Sequence, residues 1–136
     1  MKIVTYSIKN LTEERIAAGL NDYELSKLIP NINASHLGKM QSGKVKHPRI
    51  ITIRKIGLAL GVAFVMGHPD GDIYMFSSDV VKELRIMQGL SRRIVSEESG
   101  CGYQCIRKID TKMVNSNYVN TQTVKKIGDT LGVRFY

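Results

Sequence analysis

The most constraining feature of this chain is an internal repeat. Identical residues recur 70 positions apart, at Ile3, Ser7, Arg15, Ile16, Gly19, Leu20 and Ser26 and again at Ile73, Ser77, Arg85, Ile86, Gly89, Leu90 and Ser96. Towards the end of each half the separation becomes 71, where Leu60-Gly61-Val62 matches Leu131-Gly132-Val133. Because a repeated sequence indicates a repeated structural unit, we expect two copies of one small module, 1–66 and 72–136, joined by a linker turn at 67–71.

The chain is basic, with 20 Lys and Arg against 12 Asp and Glu and a formal net charge of +8. Both halves contribute to this excess. Cationic side chains neutralise phosphates and release the counterions condensed on them, so a polyanion is the expected partner. A basic surface that only keeps the protein in solution is the alternative.

The sequence gives little support to catalytic, metal-binding or membrane functions. Cys101 and Cys105 are the only cysteines, and no histidine lies near them at ligand spacing, so two reduced thiols are expected in place of a zinc site. No nucleophile–base pair or phosphate-binding loop is visible, which predicts a protein that is not an enzyme and uses no cofactor. The longest apolar run, Ile56 to Met66, is shorter than the roughly 20 residues that span a bilayer, which predicts a cytoplasmic protein without membrane contacts.

Capping and turn residues predict the same series of elements in each half, four short helices between two short strands. Strands are expected at 2–7, 62–66, 72–77 and 133–136. Helices are expected from a cap at Asn10 to Ala18, at 22–29, at 34–41 and from about Pro48, then from a cap at Ser78 to Gln88, at 92–99, at 103–110 and at 121–131. The predicted fold class is therefore mainly α with β additions.

The linker Gly67-His68-Pro69-Asp70-Gly71 contains residues that favour a chain reversal. One reading is a simple boundary between the modules. The other is a hairpin loop that pairs the strands flanking this junction, and the sequence leaves both open.

Val95 to Asp110 has the spacing of a helix-turn-helix. The pattern consists of apolar Val95, small Ser96, turn Gly100, apolar Cys101 and the two core positions Ile106 and Ile109. Ser96 allows a close helix crossing, and Gly100 suits the positive φ that the turn needs. This segment resembles the lambda-repressor-like, Cro-type helix-turn-helix of the XRE family.

The first half resembles the same family through other residues. Ser42 to Arg49, followed by Ile56 to Val62, is similar to the loop and fourth helix of lambdoid phage repressors. Its turn departs from the pattern, because Pro30-Asn31 replaces a single glycine and adds a residue. Asn31 is expected to supply the left-handed conformation. The resemblance covers nearly the whole chain outside the strands and the linker, and it implies two lambda-repressor-like helix-turn-helix modules in tandem.

The resemblance also implies that the third helix of each half enters the major groove of DNA. The residues implied to read bases are Ala34, Ser35 and Lys39 in the first half and Tyr103, Gln104, Arg107 and Lys108 in the second. Those implied to contact phosphates are Asn33, His36, Lys44, Lys46, Arg49, Arg92 and Lys112. Gln104 suits adenine, and the cations of the same helix suit guanine. For each residue the alternative is an ordinary exposed position on a helix.

The predicted function is that of a sequence-specific regulator of transcription that binds double-stranded DNA. A repressor of phage or mobile-element type, encoded by a bacterium or a phage, is expected, with recognition helices near 34–41 and 103–110. The two modules would act as an intrachain pseudo-dimer, and a homodimer remains an alternative. The rival hypothesis is a protein-binding module on the same scaffold, such as an anti-repressor, an antitoxin or a phage inhibitor of a host defence protein. Asp22, which would repel a phosphate at the start of its helix, favours the rival.

Overall fold

A computed structural model describes all 136 residues of the chain, which is mainly helical with a small four-stranded sheet. The elements in chain order are β1 (Lys2–Thr5), α1 (Ile8–Ala17), α2 (Asp22–Lys27), α3 (Ala34–Gln41), α4 (Ile50–Leu60), β2 (Val62–Gly67), β3 (Ile73–Tyr74), α5 (Ser78–Met87), α6 (Arg92–Ser99), α7 (Tyr103–Asp110), a short 3-10 helix (Ser116–Tyr118), α8 (Thr121–Leu131) and β4 (Arg134–Phe135). None of the helices has both the length and the apolar character needed to cross a lipid bilayer.

The chain divides into two compact units. One comprises Met1–Pro48 and Thr52–Phe64, and the other comprises Arg49–Ile51 and Val65–Tyr136. The helices α1 to α4 correspond in order to α5 to α8, and their starts are displaced by 70, 70, 69 and 71 positions. The repeat in the sequence is therefore also a repeat of secondary structure.

The first helix of each half begins at a capping serine. Ser7 accepts a hydrogen bond from the backbone N–H of Asn10 at 2.9 Å, and Ser77 accepts one from that of Val80 at 3.2 Å. The prediction of Asn10 and Ser78 as caps is therefore wrong. Ser7 and Ser77, which precede the helices in an extended conformation, already accept hydrogen bonds from N–H groups of the first turn. Ser7 and Ser77, predicted as the last residues of two strands, instead cap helices, and the strands β1 and β3 already end at Thr5 and Tyr74.

The other helix boundaries agree closely with the capping signals. The structure confirms the predicted bounds of α3, α6, α7 and α8, while α2 ends at Lys27 instead of Ile29. Asn31 adopts the left-handed conformation expected of it, with a φ of 64°, and Gly100 does so in the second unit with a φ of 77°. Gly tolerates this region freely and Asn better than most residues, which explains why these two types occupy the turns.

The sheet has the strand order β1-β2-β4-β3. In the second unit β4 pairs antiparallel with β2 and parallel with β3, so that Met66 and Tyr74 both lie opposite Phe135. The hairpin interpretation of the linker 67–71 is wrong, since β4 separates the two strands that the hairpin would pair. Gly67 and Gly71 pass so close to the backbone of Val133 that neither position has room for a side chain.

The same aromatic pair anchors the core of each unit. Tyr6 packs edge-to-face on Phe64 at a centroid distance of 6.1 Å, and Phe76 packs in the same way on Phe135 at 5.2 Å. Each unit also contains fully buried aliphatic side chains, including Leu11, Leu25, Leu37, Ile53 and Ile56 in the first unit and Val95, Ile106, Ile109, Val124 and Ile127 in the second. Burial of each large side chain contributes about 1.5–3 kcal/mol, so these residues hold the helices of each unit together.

Candidate nucleic-acid interface

The segment between α6 and α7 is a tight turn held by serine side chains. The hydroxyl of Ser96 donates to the backbone carbonyl of Cys101 at 2.6 Å. The hydroxyl oxygen of Ser99 accepts from the backbone N–H of Cys101 at 3.1 Å. The sequence pattern predicted a steric role for Ser96, and the hydrogen bond adds a second reason for a small hydroxyl residue there. These contacts fix the start of α7 relative to α6.

The exposed face of α7 is polar and cationic. Tyr103, Gln104 and Lys108 are exposed, and Arg107 is half-buried beside them. The Nε of Arg107 donates to Oε1 of Gln104 at 2.7 Å, which orients the carboxamide and leaves its N–H donors available to another partner. An Nη of Arg107 also lies 3.3 Å from the sulfur of Met113. The four residues predicted on this helix therefore share one accessible surface.

The corresponding face of α3 in the first unit offers fewer hydrogen-bonding groups. Ser35 and Lys39 are exposed, whereas Ala34 and His36 are half-buried. The side-chain oxygen of Asn33 accepts the backbone N–H of His36 at 2.8 Å and so caps the helix. Because this oxygen already satisfies a helix donor, Asn33 stabilises α3 whether or not it also contacts a ligand.

A buried carboxylate organises the polar interior of the second unit. The side chain of Asp110, at the end of α7, is fully buried. Its Oδ2 accepts from the Nε of Arg85 at 3.0 Å and from the Nε of Arg92 at 3.1 Å. Arg85 also donates from Nη1 to the carbonyl oxygen of Leu90 at 2.8 Å. Arg92 is thereby fixed at the start of α6 through Nε, with its side chain 31% exposed.

The first unit holds the equivalent arginine by a different arrangement. The Nε of Arg15 lies 3.2 Å from Oδ1 of Asp22, at the start of α2, and donates to Oε1 of Gln41, at the end of α3, at 2.9 Å. Gln41 in turn donates to Asp22 at 2.6 Å. Asp22 and Gln41 occupy the places that Arg92 and Asp110 hold in the second unit. The sequence hypothesis did not identify Gln41, Arg85 or Asp110, although the repeated arginine was a signal that could have led to them.

The cations predicted to contact phosphates have different surroundings. Lys44 and Lys46 are exposed in the loop that follows α3. Lys112 pairs with Asp79 at 3.0 Å, and both side chains are exposed. Arg49 belongs to the second unit, where its guanidinium lies 4.7 Å from the centroid of the Tyr118 ring.

A groove of about 590 Å³ lies beside α7 in the second unit. Its walls include Cys105, Lys108, Asn115, Tyr118 and Asn120. Burial is the main factor that raises the pKa of the Cys105 thiol, with a further increase from Cys101 and an opposing effect of Lys108. A raised pKa keeps the thiol protonated at neutral pH, so Cys105 lacks the thiolate character of a reactive cysteine.

The surfaces of α3 and α7 offer hydrogen-bond donors and positive charge, which suit a polyanionic ligand. No protein-family model matches the chain, and no curated protein and no solved structure is significantly similar to it.

Proposed function

We propose that the chain is a sequence-specific regulator of transcription that binds double-stranded DNA through two lambda-repressor-like helix-turn-helix modules. The proposed regulator is a repressor of phage or mobile-element type. The observation that supports this most is the hydrogen-bonded pair of Gln104 and Arg107 on α7, directly after a three-residue turn with a left-handed Gly100. Short helices in this relation place the second helix in the major groove.

In this proposal α7 reads base edges. The Gln104 carboxamide has the donor and acceptor that pair with N7 and N6 of adenine, and its bond from Arg107 holds it ready for that contact. Lys108 lies one turn further along the same exposed side, within reach of guanine acceptors or a phosphate. A side-chain orientation that is set before binding reduces the entropy lost on association.

The two units would contact phosphates through different residues. In the second unit Arg92 lies at the start of α6, held by Asp110 through one nitrogen, with its terminal nitrogens free to donate. In the first unit Lys44 and Lys46 provide the positive charge, and Asp22 at the start of α2 opposes it. Such a difference favours a target with two unlike half-sites.

A protein-binding module is the second candidate function, and the surface around α2 favours it. Tyr23 is 61% exposed and Leu28 is 56% exposed, and both lie close in sequence to Asp22. Exposed apolar side chains in a segment that also carries a carboxylate suit a protein partner better than a phosphate backbone.

The two functions are separated by titrating the full chain into a fluorescent random-sequence duplex at two salt concentrations and following the anisotropy. A DNA-binding regulator binds at micromolar protein or below, and its affinity falls steeply as the salt concentration rises. Absence of salt-sensitive binding would reject DNA binding and favour the protein-binding module. Selection of bound sites from a random pool then tests for sequence specificity, since a regulator enriches one defined site.

A further inference from the structure

The loop between α7 and α8 lacks an unpaired cation of its own. Lys112 is its only basic residue and is paired with Asp79. Asn120 of the second half corresponds to Arg49 of the first half, since the two positions are 71 residues apart. The side chain of Asn120 is used to cap α8, accepting the backbone N–H of Thr123 at 2.9 Å. This loop alone is therefore poorly equipped to bind a phosphate.

Arg49 lies against this same loop. Its backbone forms an antiparallel bridge with Asn120, and the N–H of the next residue, Ile50, donates to the carbonyl oxygen of Val119 at 2.8 Å. The guanidinium lies 4.7 Å from the centroid of the Tyr118 ring. Arg49 is exposed and forms no ion pair with a carboxylate. A cation held by an aromatic face keeps its full charge, in contrast to one paired with an acid.

We infer that Arg49 binds a backbone phosphate of the DNA segment that α7 reads, and so completes the phosphate-binding surface of the second unit. This assignment rests on the proposed function and deepens it. The guanidinium carbon lies over the Tyr118 ring, and a guanidinium placed on an aromatic face can still donate two parallel hydrogen bonds to phosphate oxygens. Lys108 and Tyr118 line the same groove beside α7, so Arg49 adds positive charge at the edge of the surface that faces the DNA.

The assignment is tested by measuring the dissociation constant of the full chain for its selected duplex over a range of salt concentrations. Loss of one phosphate contact in Arg49→Gln lowers the slope of log K against log salt by about 0.9 and weakens binding to all sequences alike. Lys82→Gln removes an exposed cation of α5 and is the matched control, with a slope close to that of the unmodified chain. An equal slope change in the two variants would overturn the assignment.

The role of Tyr118 gives an independent readout. Tyr118→Phe keeps the aromatic face and is expected to bind like the unmodified chain, whereas Tyr118→Ala should weaken binding roughly two- to fivefold.

Arg49→Lys keeps the charge and should retain the salt slope with a lower affinity. Thermal unfolding checks that each variant is folded. Because the contacts with Asn120 and Val119 are made by the backbone, Arg49→Gln is expected to fold normally. If a folded Arg49→Gln variant has the same slope of log K against log salt as the unmodified chain, the assignment is overturned.

Hydroxyl-radical footprinting locates the phosphate. Arg49→Gln should remove protection next to the base pair whose recognition is lost in Gln104→Ala. Loss of protection next to a base pair affected by Lys39→Ala instead would place Arg49 with the first unit and contradict the inference. Absence of salt-sensitive binding by the unmodified chain would reject the proposed function and this assignment together, whereas binding with an unchanged slope in Arg49→Gln rejects the assignment alone.

Discussion

Arg15 in the first unit and Arg85 in the second hold the same position of the repeat, and each donates to the carbonyl oxygen of the leucine five residues later. Their carboxylate partners come from different places. Asp22 belongs to the start of α2 and is 33% exposed, whereas Asp110 belongs to the end of α7 and is fully buried. In the first unit a partly solvated carboxylate and Gln41 together hold the arginine. In the second unit a buried carboxylate holds the arginine and is shared with Arg92.

This difference shows how a duplicated unit can diverge without losing its fold. The carboxylate lies on the second helix of the first unit and on the third helix of the second unit, and in both places it pairs with the repeated arginine. It also changes the sign of the charge at the start of the second helix, which is negative at Asp22 and positive at Arg92. An anion near a helix start is repelled by the first and attracted by the second. Divergence in the interior therefore alters the surface that would face a phosphate.

The largest effect is expected from Asp110→Asn. Loss of the buried carboxylate leaves Arg85 and Arg92 without a counter-charge, which should lower the free energy of unfolding by about 3–5 kcal/mol. Asp22→Asn is the matched change in the first unit and should have an effect of at most about 1 kcal/mol, because that carboxylate is partly solvated. Urea unfolding followed by circular dichroism measures both variants. A smaller loss for Asp110→Asn than for Asp22→Asn would contradict the comparison.

The second test transfers the arrangement of the first unit into the second. Arg92→Asp alone places a carboxylate beside Asp110 and should destabilise the chain, whereas Arg92→Asp combined with Asp110→Gln reproduces the pair Asp22 and Gln41. The double variant should recover stability, with a favourable coupling energy of about 1–3 kcal/mol in a double-mutant cycle. Additive effects of the two substitutions would show that the units do not share an interchangeable network.

The third test compares the base reading proposed for the two units. Gln104→Ala should weaken binding by about 1–3 kcal/mol and relax the preference at one base pair, because the carboxamide contact is lost. Ser35→Ala on α3 should have a smaller effect, since a single hydroxyl reads bases ambiguously. Competition with duplexes substituted at each position measures both variants. If Gln104→Ala weakens binding to every sequence equally, α7 does not read bases through this residue.

The smallest effect concerns the aromatic pairs. Burial raises the pKa of Tyr6 from 10.0 to about 12, whereas the equivalent residue in the second unit, Phe76, has no ionisable group. Between these two pH values the folded state retains a proton that the unfolded state releases, so stability falls as the pH rises through this window. Thermal unfolding at pH 8 and pH 11 should show this loss in the unmodified chain and less of it in Tyr6→Phe. Tyr23→Phe, at an exposed tyrosine, is the control, and an equal improvement there would contradict the assignment to Tyr6.

Much of the local structure could be predicted from the residues. The bounds of α6 and α7 and the left-handed conformations of Gly100 and Asn31 follow from interactions within a few positions along the chain. The errors at Asn10 and Ser78 were also local, because each signal had a competitor one to three residues earlier. The polar residues of α7 were implied by the resemblance to the helix-turn-helix pattern, and their spacing is compatible with one side of a helix.

The residues alone predict two copies of one series of elements, the positions where most helices begin and end, and the polar residues that share the exposed face of α7. These properties depend on dihedral preferences and on hydrogen bonds between near neighbours. The packing of the folded chain sets three features that no local signal predicts: β4 separates β2 from β3, Asp110 is the partner of Arg92, and the guanidinium of Arg49 lies over the Tyr118 ring. These pairings join residues far apart in the chain. The local sequence is compatible with many such partners, and the packing of whole helices and strands selects among them.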